Sequence, residues 1–261
     1  MSELVEIEWR GEPLRLEVER LGEASFDVPT VVFLHEGLGS VAMWKGFPAA
    51  FCRANGLTGI VYSRRGYGRS APRRPDERWA PDFMHVQAFE VLPALLAELG
   101  VGRPWLFGHS DGGSIALLHA SRFATTGVVA VAPHLFVEDV SIASIEHARI
   151  AYESGDLKRG LAKYHDDADS AFRGWNDAWL SPAFRAWNIE AEIATIACPV
   201  LAVQGENDEY GSLEQIRAIQ RLLPETELLE IAECGHSPHR DQPAVLIREA
   251  GRFIREHTIS N

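Results

Sequence analysis

The chain has 261 residues, 46% hydrophobic and 24% charged, which is ordinary globular usage, long enough to bury a sizeable core, and excludes disorder as its main state. Its 25 basic and 37 acidic residues give a net charge of −12, which works against nucleic acid and anionic membranes as partners. Cys52, Cys198 and Cys234 lie too far apart for a C-x-x-C pair, so no disulfide framework or zinc cluster is written here, and a reducing, cytoplasmic compartment is expected.

Glu3, Glu6, Glu8 and Glu12 crowd the first fifteen residues, which therefore do not read as a secretory leader. Residues 4–9 and 14–18 alternate apolar and charged positions and predict an opening antiparallel hairpin. Residues 30–34, 59–62 and 104–107 are apolar throughout, as are, nearly, 127–132, 199–204 and 227–231. Such runs predict strands of a mostly parallel sheet buried on both faces. Residues 83–99 carry a 3.6-residue apolar stripe and predict one amphipathic helix. Strands alternating with helices make the fold class α/β, with helices flanking the sheet. About 65 residues, 133–197, separate two of these strands and contain Trp175, Trp179 and Trp187. They predict a helical cap over the sheet's carboxyl edge, inserted into a core of residues 1–132 and 198–261.

A buried run enters a helix through Gly108-His109-Ser110-Asp111-Gly112. This Gly-x-Ser-x-Gly is the pattern of a nucleophile elbow, a strained strand-to-helix turn that lifts a serine Oγ clear of the sheet. A serine hydroxyl needs a histidine base held by a carboxylate. Asp208, after the run 199–204, and His236, after the run ending at Ile231, complete the order Ser, Asp, His. Glu206, Glu209, Glu138 and Asp139 remain alternative carboxylates, and His239 an alternative base. The oxyanion of acyl transfer needs two N–H donors. The N–H of Asp111 is one candidate, and the loop His35-Glu36-Gly37-Leu38-Gly39 offers Gly37 or Leu38 for the other.

With these pieces the chain resembles the α/β-hydrolase superfamily from about Val31 to its last helix. His35-Glu-Gly-Leu-Gly resembles the His-Gly-x-Gly oxyanion loop and the His-Gly-Gly-Pro-Gly loop of prolyl iminopeptidases. Arg65-Gly66-Tyr67-Gly68-Arg69-Ser70 resembles the Asp-x-Arg-Gly-x-Gly-x-Ser loop, with Ser63 in place of the aspartate and, earlier, Glu36 in place of a glycine. The resemblance implies a serine hydrolase working through Ser110, His236 and Asp208. Its members also include acyl-coenzyme A thioesterases, lactonases and carbon–carbon bond hydrolases, and a ligand-binding receptor on a retained hydrolase fold is the reading from another class. A small or medium carboxylic ester, enclosed beneath the cap, is the expected substrate, with Glu36, His134, Trp175 and Trp179 as substrate-binding candidates. No cofactor or metal is called for, and a homodimer is left open. Six arginines between Arg64 and Arg78 are expected mainly in surface pairs with Asp76, Glu77 and Asp82, the alternative being recognition of an anion.

Overall fold

A computed structural model describes residues 1–23 and 28–258. The alternating N-terminal residues form the antiparallel pair β1 (Glu3–Trp9) and β2 (Glu12–Leu21). Arg10 and Gly11 join them with φ of 54° and 80°, the left-handed backbone that a two-residue hairpin loop needs. β2 then lies antiparallel to β4 (Thr58–Tyr62), with Val18 opposite Tyr62.

β3 (Thr30–Leu34), β4, β5 (Trp105–His109), β6 (Gly127–Val131), β7 (Val200–Gly205) and β8 (Glu227–Ile231) are mutually parallel. The order across the eight-stranded sheet is β1-β2-β4-β3-β5-β6-β7-β8. Neighbouring residues of one strand serve opposite cores, because side chains alternate across a sheet. Val31, Phe33, Phe107 and Val129 pack with α1 (Phe47–Asn55) on one face, while Val32, Leu34, Leu106 and Val128 pack on the other. That second face is covered by α2 (Phe83–Val86), α3 (Leu92–Glu98) and α4 (Asp111–Ala120).

Two predicted elements differ in detail. The single helix expected over 83–99 contains a π-helical turn, Gln87–Val91, between α2 and α3. Pro93 explains it, since it has no N–H for the carbonyl four residues back and its ring crowds that carbonyl. β8 is an edge strand rather than one buried on both faces: only its Ile231 is fully buried. Its Glu227 and Glu230 instead pair with Arg252 and Arg217 at 2.7 Å.

Between β6 and β7 come α5 (Asp139–Glu153), α6 (Asp156–Leu161), α7 (Ala168–Trp179) and α8 (Glu190–Ile193). Asp167 caps α7 by accepting the Ser170 N–H at 2.8 Å. α9 (Glu214–Leu222), α10 (Pro238–Asp241) and α11 (Pro243–Thr258) complete the chain, α11 packing beside α1. Among the described residues no helix is long and apolar enough to cross a membrane. This architecture sends the carboxyl ends of β3, β5, β6, β7 and β8 to one edge, where His35, Ser110, His134, Asp208 and His236 follow them.

Candidate active site

Ser110 stands between β5 and α4 with φ 54° and ψ −121°, a strained backbone for a residue other than glycine. Its N–H is tied to the Val131 carbonyl at 2.8 Å, which holds the turn against β6. Strand and helix meet so closely that a Cβ on Gly108 would overlap the Gly112 carbonyl, and one on Gly112 the Leu34 carbonyl. The glycine spacing read from the sequence is thus a packing requirement of this turn.

His236 Nε2 lies 2.9 Å from Ser110 Oγ, and its Nδ1 lies 2.8 Å and 3.0 Å from the two oxygens of Asp208. The Tyr210 N–H and Gln204 Nε2 also donate to Asp208, at 2.8 Å and 3.0 Å, and its side chain is 1% exposed. Burial works to raise this carboxyl, but the hydrogen bonds from His236 and Tyr210 outweigh it and hold it below its ordinary range. The alternative carboxylates are engaged elsewhere or exposed. Glu138 accepts from Ser212 and Gln215, Asp139 pairs with Arg185, Glu206 is exposed, and Glu209 accepts the main-chain N–H of His236 at 3.1 Å. His239 packs against Trp44, Phe47 and His109, away from Ser110 Oγ.

The loop after β3 is fixed from behind by Arg64, a buried side chain that donates to the carbonyls of His35 and Glu36, the latter at 2.9 Å. His35 Nδ1 donates to the Glu36 carbonyl at 2.7 Å, and its Nε2 accepts the Arg64 N–H at 3.0 Å. Burial and then the charge of Arg64 push His35 well below its ordinary range, which keeps it neutral in this tautomer. His165, after α6, donates to the Leu38 carbonyl at 2.9 Å and accepts the Gly68 N–H at 2.9 Å. It clips the inserted helices to both loops. Arg64 therefore departs from the surface pairing expected of the arginine cluster, and Arg65, though it makes a two-point contact to the expected Glu77, is buried as well.

A cavity of about 220 Å³ opens above Ser110. Of the sequence-derived candidates, Glu36, Gly37, Leu38, Ser110, Asp111, His134, Trp175, Trp179 and His236 line it, whereas Asp208 lies behind His236 and does not. Trp175 lies so close over Gly37 that a Cβ there would overlap its indole. Trp179 Nε1 donates to Asp111 Oδ1 at 3.2 Å. Burial pushes the Asp111 carboxyl up to about 6 and His134 down to about 3. Sequence reasoning missed Tyr210, whose ring lies 4.7 Å from that of His236, although its place two residues after Asp208 was a usable signal. It also missed Ile145 and Arg240 as lining residues. Among the described residues no three His, Cys, Asp or Glu side chains gather as a metal site.

The sn-1-specific diacylglycerol lipase ABHD11 of Mus musculus is 22% identical over 274 residues, covering 93% of this chain and 86% of that protein. The proline iminopeptidase of Mycobacterium smegmatis superposes with a TM-score of 0.78 at 17% identity, covering 99% of both chains. A structure from a study of carboxylesterases of Nitrososphaera gargenis gives 0.77 at 18%, covering 98% of this chain and 100% of the other. At these identities the structural likenesses show a shared fold. Residues 31–249 match the profile of the alpha/beta hydrolase family, from β3 into α11, and the chain belongs to that family.

Proposed function

We propose that the protein is a serine hydrolase of small or medium carboxylic esters, working through an acyl-enzyme on Ser110. The carrying observation is the unbroken hydrogen-bonded chain Asp208, His236, Ser110, which ends on a serine held in the strained elbow. Ser110 Oγ attacks the ester carbonyl as His236 Nε2 takes its proton, and Asp208 steadies the imidazolium through Nδ1–H. The oxyanion forms opposite the N–H of Asp111 at the start of α4, where the helix terminus favours negative charge. His236 then protonates the departing alcohol, and water repeats the sequence to release the acid.

Gly37 supplies the second donor in this reading. The Glu36 carbonyl is turned to Arg64 and His35, and the Gly37 N–H points the opposite way in the same peptide plane, toward the cavity that Gly37 lines. Trp175, Trp179, Ile145 and Tyr210 offer apolar walls suited to a compact acyl or alcohol group. The residues 133–197 act here as the cap that narrows entry.

The test is fluorophosphonate labelling with mass spectrometry of the Ser110 peptide, together with p-nitrophenyl ester hydrolysis by Ser110→Ala. The variant should lose roughly four to six orders of magnitude in kcat. Retention of a tenth of the activity, or an unlabelled Ser110 in folded protein, would overturn the reading and favour a receptor.

A further inference from the structure

Behind His236 lies a second histidine beside a second carboxylate. His109, the residue before the serine, has its Nε2 2.7 Å from the main-chain carbonyl oxygen of His236. Because a carbonyl only accepts, that nitrogen carries a proton. The other nitrogen, Nδ1, is buried without a hydrogen-bond partner and faces Glu36 Oε2 at 3.7 Å. A neutral ring would therefore turn the lone pair of a buried nitrogen toward the oxygen of a carboxylate at the cavity wall. Glu36 is committed to this place: its carboxylate lies over Gly39, where a Cβ would overlap it. Burial works to raise the Glu36 carboxyl, but the surrounding imidazoles, His109 first and then His35 and His239, together outweigh it and hold the group well below the usual carboxylate range.

We propose that Glu36 and His109 form a carboxylate–imidazolium pair that positions His236 through its main-chain carbonyl while keeping the charge beside it near zero. The pair joins three loops, since Glu36 follows β3, His109 ends β5 and His236 follows β8. It rests on the reading of Ser110 as nucleophile and His236 as base, and it makes Glu36 a positioning residue of that site. It also accounts for a glutamate where the family pattern has glycine.

The titratable and charged groups facing the pair are His35 on its own loop, Arg64 and Tyr67 after β4, Asp111 in α4, His134 after β6, His165 after α6, Glu209 after β7, and His236, His239 and Arg240 near α10. Arg64 is a fixed cation. Burial pushes His35, His134, His165 and His239 below their ordinary range, so they stay neutral at and above neutral pH. Asp111, pushed up to about 6, feels both members of the pair, Glu36 raising it and His109 lowering it, so the comparison is run with Asp111→Asn in every chain.

The experiment measures the rate of fluorophosphonate inactivation from pH 5 to 9 for the Asp111→Asn parent and, within it, His109→Gln, Glu36→Gln and the double variant. Glutamine at 109 keeps a donor for the His236 carbonyl but removes the positive charge. Glu36 is then unpaired and favours the charged form of His236, so the acid limb should move up by roughly half to one pH unit. Glu36→Gln removes the pair as a neutral unit and should leave the limb within about 0.2 units of that parent, and the double variant should return there. If His109 is neutral in the native protein, His109→Gln leaves the limb in place and Glu36→Gln lowers it, and the proposal fails. Should His109→Gln not fold, nitrogen NMR of the ¹⁵N-histidine wild type at pH 8 decides: two protonated ring nitrogens on His109 support the pair, and a bare Nδ1 overturns it. A wild type that is not labelled on Ser110 removes the hydrolase reading itself, whereas labelling with the wrong pattern of limbs removes only the pair.

Discussion

Ser63 Oγ donates a 2.7 Å hydrogen bond to Glu17 Oε2, joining the loop after β4 to a buried side chain of β2. The same oxygen accepts the Arg69 N–H at 3.1 Å, and Ser70 Oγ accepts the Glu17 N–H at 2.8 Å. Glu17 thus brings a carboxylate to the place where the family pattern has an aspartate and this chain has Ser63. Glu17→Ala should cost about 2–3 kcal/mol in urea unfolding, because it strands buried donors. Adding Ser63→Asp should recover at least half of that loss. A cost below about 0.5 kcal/mol would mean that the loop does not lean on Glu17.

The close approach of Trp175 to Gly37 makes a second expectation. A methyl group at residue 37 would overlap the indole and push either α7 or the loop after β3 aside. A displacement near 1 Å at a reacting centre costs on the order of a hundredfold in rate. Gly37→Ala should therefore lower kcat/KM for a p-nitrophenyl ester by about ten- to a hundredfold with little change in urea midpoint. Trp175→Leu in the same chain should restore part of it. Equal rates for wild type and Gly37→Ala would remove Gly37 from the oxyanion site.

Asp111 carries a pH expectation whose sign differs from the usual carboxylate case. Burial raises its folded value to about 6, above the roughly 3.9 of an unfolded aspartate. Between those values the native state binds more protons than the unfolded state, so stability falls as pH rises through about 4 to 6 and stays lower above it. Asp111→Asn keeps an acceptor for Trp179 Nε1 and removes the buried charge. It should raise unfolding free energy by about 1–3 kcal/mol at pH 7.5 and by less at pH 4.5. Chemical denaturation at the two pH values checks this, and a variant equally affected at both would contradict it.

The local features of this chain were legible in its sequence. Apolar runs of strand length and the glycines flanking Ser110 depend on neighbours only a few residues away, so β3 to β7 and the elbow could be read directly. The partners of those features were not. Glu17 meets Ser63 because β2 runs antiparallel to β4 with Val18 opposite Tyr62, a register that no local pattern carries. Arg64 lies among arginines whose spacing suggests a solvated surface, yet the parallel pairing of β3 and β4 sets it beside the loop after β3, where it is buried. β8 reads like its neighbours because Leu228, Leu229 and Ile231 are apolar, and only its place at the sheet edge leaves it half-buried.

The arginine cluster bears on the choice between two proposed substrate classes. If it recognised a polyanionic leaving group such as coenzyme A, its guanidinium groups would have to be free to meet phosphate. Instead Arg64 is spent on the carbonyls of His35 and Glu36, Arg65 on Glu77, and Arg73 on the carbonyls of Arg74 and Glu77. Releasing Arg65 would leave Glu77 uncompensated, and releasing Arg64 would loosen the loop that holds Gly37. Phosphate binding there would therefore oppose the geometry the reaction needs. KM for a short acyl-coenzyme A should rise no more than about twofold between 50 and 300 mM salt, as for an uncharged p-nitrophenyl ester, because the exposed Arg69, Arg74 and Arg78 do not line the cavity above Ser110. kcat/KM should be the higher for the ester. A steep rise of KM with salt for the coenzyme A substrate alone, with kcat/KM above that of the ester, would transfer the protein to the thioesterases.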